Sequence, residues 1–135
     1  MFDEYSTKVS KEESRTIAID FDGVIHNDYK GFHDGTIYGN LIEGTKEAIE
    51  LLSNDYRIVI FSAKAKMDRP LVDGKLGSDL IIEFLIKHGI DKYISEVTSE
   101  KPRALAYIDD KAIEFNGNWN HVIEKLKKII NGECI

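Results

Sequence analysis

The sequence predicts an α/β fold, a doubly wound parallel sheet with helices on both faces, and three observations carry that expectation. Short runs of β-branched and apolar residues, Thr16-Ile17-Ala18-Ile19 and Ile58-Val59-Ile60-Phe61 among them, read as strands covered on both sides. Segments with apolar residues at helical spacing alternate with those runs. The runs also end on residues that carry chemistry: Asp20 and Asp22 after the first, Ser62 after the second and Asp109-Asp110 after the last. In an open parallel sheet, ligands bind outside the carboxyl ends of the strands.

Taken in order, residues 1–14 are rich in Asp, Glu, Ser and Lys and form a polar arm ahead of a single domain over 15–135. The first strand covers 16–19. Residues 26–41 hold Gly31, Gly35 and Gly39 with Asn27, Asp28, Asp34 and Asn40, the composition of a loop or small hairpin flap. Ile42, Ala48, Ile49 and Leu52 then recur at helical spacing, with Glu43 near the positive end of the helix and Asn54 stopping it. Residues 56–61 form the second strand. The loop 63–77 contains Pro70, Gly74 and Gly77, and 79–88 is a helix closed by Gly89. A third strand over 93–97 precedes the turn Lys101-Pro102, and a fourth covers 105–108. A last helix over 120–130 carries Val122, Ile123, Leu126, Ile129 and Ile130 on its apolar side, with Phe115 and Trp119 expected to pack it against the sheet. Alternation of this kind implies right-handed crossovers, hence a Rossmann-like sheet.

Composition excludes several classes of function. At 135 residues there is room for one core and no second module. The net charge of −6 argues against coating nucleic acid by broad attraction, although it leaves recognition of a single phosphorylated end open. No apolar stretch approaches the roughly 18 residues of a membrane helix. Met1-Phe2-Asp3-Glu4 lacks the basic start of a signal peptide, and the lone Cys134 has no internal disulfide partner. The expectation is a cytoplasmic protein with no membrane partner, as a monomer or an oligomer.

If the first and last strands are adjacent, Asp20, Asp22, Asp109 and Asp110 meet at one sheet edge. So much negative charge is tolerable mainly around a divalent cation, and oxygen-only ligands favour magnesium. Such a site suits phosphoryl transfer. Asp20 would attack phosphorus and form an aspartyl-phosphate, splitting hydrolysis into two displacements. Asp22, across a turn, would protonate the leaving oxygen and then activate water, a role that suits a carboxyl group raised by its acidic neighbours. Ser62 would hold a phosphate oxygen, Lys101 would supply fixed positive charge, and Asp109 would complete the metal ligands. Asp110 would orient Lys101 or a metal-bound water.

The order Asp20-Phe21-Asp22-Gly23-Val24, Phe61-Ser62, Lys101-Pro102 and Tyr107-Ile108-Asp109-Asp110 resembles the four motifs of the haloacid-dehalogenase-like (HAD) superfamily of phosphohydrolases, across residues 15–131. The resemblance implies a HAD-like fold, magnesium-dependent phosphatase activity, Asp20 as nucleophile and Asp22 as acid/base. It also implies phosphate binding by Ser62 and Lys101, and magnesium binding by Asp20, Asp22, Asp109 and Asp110. Asp22 matches the hydrolase and phosphotransferase branch, since dehalogenases lack that residue. The stretch from Asp109 to Trp119 further resembles small capless members. Neither gap between motifs has room for a cap domain, and an open site suits a large phosphorylated substrate, such as a polynucleotide end or a protein, or a small one enclosed by a neighbouring subunit; the sequence leaves the substrate class open. The alternatives are a polynucleotide-end phosphatase and a binding or regulatory protein that keeps the fold without turnover.

A signalling receiver domain shares the acidic cluster and the Lys-Pro turn, but there the Lys-Pro follows the last strand, whereas here Lys101-Pro102 precedes an acidic pair. Outside the motifs, Lys64, Lys66, Arg69 and Lys75 alternate with Asp68 and Asp73 and read first as a solvated loop, and second as the natural place for extra substrate contact beside Ser62. His26 and His33 lie in the flap, where substrate contact is open to them, although exposed loop histidines without a role are commoner. His88, His121 and Cys134 carry no signal.

Overall fold

The computed structural model describes residues 13–31 and 34–132; most of the N-terminal arm, His33 and Cys134 lie outside the described residues. Strands β1 (Thr16–Asp20), β2 (Arg57–Phe61), β3 (Glu96–Thr98) and β4 (Ala106–Ile108) form one sheet in the order β3-β2-β1-β4, with every neighbouring pair parallel. Among the described residues there are three α-helices, α1 (Thr45–Ser53), α2 (Gly77–Lys87) and α3 (Trp119–Ile130), and two 3-10 turns, at Ala63–Ala65 and Asp91–Tyr93. The α/β class and the all-parallel sheet agree with the alternation in the sequence. No helix among the described residues is long and apolar enough to cross a membrane.

Register explains why the chemistry converges. Ile17, Ile19 and Asp20 of the central β1 lie opposite Ile58, Ile60 and Phe61 of β2, and Ile19 lies opposite Ile108 of β4. Ser62 therefore follows directly on the β2 residue paired with Asp20. Asp109 follows directly on the β4 residue paired with Ile19. Because parallel strands all run the same way, these residues emerge at one edge.

Ile17, Ile19, Ile58 and Ile60 join Phe21, Ile25, Ile49, Ile81, Phe84, Leu85 and Ile90 in one buried cluster. Ile60 is wholly buried in the middle of β2. Ile60→Ala should cost about 2–5 kcal/mol, through lost transfer energy and the cavity left behind. A fall in the urea midpoint at unchanged slope would measure it, and an unchanged midpoint would place Ile60 outside the core.

Two elements depart from the sequence-based expectation. The third strand begins later than residue 93, because Tyr93 and Ile94 donate backbone hydrogen bonds to Ile90 and Asp91 in the 3-10 turn. Pairing with β2 starts only where Ser95 N–H reaches Ile58 O, at 2.8 Å. The larger correction concerns the last helix. None of the residues of α3 is buried, and Phe115 and Trp119 pack on each other, ring centroids 5.1 Å apart, while both stay largely exposed. The edge strand β4 is only three residues long, with Tyr107 and Ile108 themselves exposed, so it offers the helix little surface to cover.

Candidate active site

Asp20 ends β1, and its Oδ1 accepts a hydrogen bond from the N–H of Phe21 at 2.8 Å. The chain then turns at once. Ile25 N–H and His26 N–H both donate to Phe21 O at 2.9 Å, and Gly23 N–H donates to His26 O at 2.9 Å. Gly23 has φ +85°, and a Cβ there would lie 2.2 Å from Asp110 Oδ2. Only glycine lets the first turn and the second acidic pair approach so closely.

Asp20, Asp109 and Asp110 each offer a carboxylate oxygen within 4.8 Å of the others. Burial, and then the charge of Asp109, push the Asp20 carboxyl up to about 6; the Phe21 N–H opposes this, while Asp110 and Asp22 add smaller repulsions. The acidic crowding therefore acts on Asp20. An all-oxygen, hard-donor set with one carboxyl held against ionisation is chemically suited to a magnesium ion, whose charge would offset that repulsion. Asp109 Oδ1 also accepts from Lys111 N–H at 2.8 Å, which fixes the carboxylate at the strand end. Asp109→Asn should weaken magnesium binding by about tenfold or more in a metal titration, and an unchanged titration would exclude Asp109 as a ligand.

Asp22 stands apart from that trio. Its Oδ2 accepts from Lys64 Nζ and its Oδ1 from His26 Nδ1, both at 2.7 Å. His26 is wholly buried, and its Nε2 accepts from Gly39 N–H at 2.9 Å. That bond requires Nε2 to lack a proton, so Nδ1 carries the proton given to Asp22. The flap is thus closed at its neck, where Asn27 N–H donates to Asn40 O and His26 pairs with Leu41. A Cβ at residue 39 would lie 1.9 Å from Asn27 O, so the flap strands can meet only at a glycine.

A cavity of about 220 Å³ opens at this edge, lined by Asp20, Asp22, Asp28, Ser62, Ala63, Lys64, Arg69, Asp110 and Lys111. Ser62 is buried; its Oγ caps the 3-10 turn by accepting from Lys64 N–H at 3.2 Å, and the same residue lines the cavity. Lys101 does not line it. Its ammonium lies 4.3 Å from the centroid of the Tyr107 ring, and the Tyr107 hydroxyl donates to Pro102 O. The cations at the cavity come from the loop after β2 and from Lys111.

His26 and Lys64, for which the sequence favours an exposed flap histidine and a solvated loop over substrate contact, are both buried and both bonded to Asp22. Their signal was spacing. His26 lies four residues past Asp22 across a glycine turn, and Lys64 lies two past Ser62.

No family model, curated protein or solved structure matches this chain.

Proposed function

We propose that the chain is a magnesium-dependent phosphohydrolase of the HAD-like kind, acting through an aspartyl-phosphate on Asp20. One observation carries the reading. Three carboxylates, Asp20, Asp109 and Asp110, have oxygens within 4.8 Å of one another at the carboxyl edge of a parallel sheet, and two of them, Asp20 and Asp110, line a cavity together with a buried serine and a buried lysine. Carboxylates alone would suit any cation site, and lysine and serine alone any anion site; their union suits a cation together with a phosphate.

Magnesium held by Asp20, Asp109 and Asp110 would neutralise phosphate oxygens and let the anion approach. Asp20 attacks phosphorus as the bond to the ester oxygen breaks, and Asp22, having first taken up a proton from solvent, delivers it to that leaving oxygen. Asp22 then takes a proton from water as the water oxygen attacks phosphorus. The bond from phosphorus to Asp20 breaks, and phosphate leaves. Ser62, with Lys64, Arg69 and Lys111, holds the phosphate oxygens. The carboxyl-edge cavity, bordered by the flap over 26–41, fits a HAD-like architecture without a cap domain.

The test is magnesium-dependent phosphate release from nucleotides, oligonucleotides phosphorylated at either end, sugar phosphates and phosphopeptides. Release from one class, lost without magnesium, supports the reading and names the substrate. Silence across all classes while magnesium binds would favour a binding protein instead.

A further inference from the structure

Lys64 is an unusual lysine. Its residue is 8% exposed, so the ammonium has been taken from water, a costly state that needs a built environment. The backbone around it is fixed. Lys64 N–H is held by Ser62 Oγ, and the chain passes so near the start of α2 that a Cβ at Gly77 would lie 1.7 Å from Lys64 O. Among the described residues the ammonium makes one hydrogen bond, to Asp22 Oδ2, while an ammonium has three N–H donors. Lys64 also lines both the cavity holding Asp20 and a neighbouring one of about 170 Å³ formed with Asp34, Arg69, Pro70, Leu71 and Val72.

This geometry creates a conflict at Asp22. Oδ1 is occupied by His26 Nδ1–H, whose other nitrogen is anchored on the flap, so the oxygen left for proton transfer is Oδ2. Lys64 sits on Oδ2. A phosphate entering the cavity brings more negative charge than one carboxylate, and a chain-held ammonium with donors to spare can turn to it.

We infer that Lys64, alone among the cations lining the cavity, is an exchanging one, which passes from Asp22 Oδ2 to a phosphate oxygen when substrate enters. The exchange exposes Oδ2 to the leaving oxygen, and it couples occupation of the phosphate position to readiness of the acid/base. The inference rests on the reading of this cavity as a phosphate site, but it concerns binding and can be tested without turnover.

The test is calorimetric titration of the intact chain with inorganic phosphate in the presence of magnesium. Lys64→Met should weaken phosphate binding by about tenfold or more, whereas Lys66→Met, which removes the same charge from an exposed neighbour, should change it far less. Asp22→Asn should tighten binding by freeing Lys64, and by more than Asp28→Asn, which removes a charge from the same cavity lining. In the double variant with Lys64→Met that excess should vanish, since the two residues then have nothing to exchange. Undiminished affinity in Lys64→Met, an equal gain from Asp22→Asn in both backgrounds, or no phosphate binding by the intact chain would each overturn the inference. Should Lys64→Met fail to fold, the gain of Asp22→Asn over Asp28→Asn decides, and no excess overturns it. Phosphate binding through Lys64 without hydrolysis would sink the phosphatase reading alone. Hydrolysis with unchanged affinity in Lys64→Met would sink only the exchange.

Discussion

Asp20→Asn is expected to reduce magnesium-dependent phosphate release by a factor of at least about 10⁴, because the amide keeps the shape of the carboxylate and removes the nucleophile. The same variant should melt at a higher temperature than the parent at pH 7 in the absence of metal. Burial and Asp109 raise the Asp20 carboxyl from 3.8 to about 6, so between those values the folded chain binds more protons than the unfolded one. Stability carried by Asp20 is therefore fully present below the unfolded value and is lost as pH rises through about 6. Asparagine has no charge to bury. Its advantage should be largest at pH 7, should shrink toward zero as pH falls below about 4, and should diminish when magnesium is added. A variant that retains turnover contradicts the covalent mechanism; one with no pH-dependent stability difference contradicts the crowding at Asp20.

His26→Ala should lower both stability and turnover. The imidazole is wholly buried, stacks on Phe21 with centroids 5.5 Å apart, meets Phe84 and Tyr38 edge-on, and bridges Asp22 to Gly39. Losing that volume and two hydrogen bonds should cost about 2–4 kcal/mol in urea unfolding. Its effect on catalysis should fall on kcat more than on KM. The alanine releases Asp22 and the flap neck while leaving Ser62, Lys64 and Arg69 in place for phosphate. Equal losses in His26→Ala and Ile60→Ala, with no change in kcat beyond the fraction folded, would make His26 a core residue only.

Much of this was legible in the sequence because strand ends are chemically marked. The run 17–19 passing to Asp20, and the run 58–61 passing to Ser62, gave strands, direction and edge together, and a parallel sheet leaves one place for such residues to meet. What was not legible depends on where a side chain turns. Lys64 sits among alternating charges that look solvated, yet its side chain turns inward to pair with Asp22, 42 positions earlier in the chain. Lys101 stands in the expected turn, yet it rests on Tyr107, a contact set by rotamer and not by spacing. The amphipathic pattern of α3 was plain, but periodicity says only that an apolar face exists and not that the molecule covers it.

The most direct test of the central claim is to look for the phosphoryl group on Asp20. The intact chain, mixed with magnesium and p-nitrophenyl phosphate and quenched in acid within its first turnovers, should yield one phosphorylated peptide by mass spectrometry, the one that contains Asp20, and none when Asp20 is asparagine. Steady phosphate release with no acyl-phosphate on that peptide, or with the label on another residue, would contradict the assignment of Asp20 as the nucleophile.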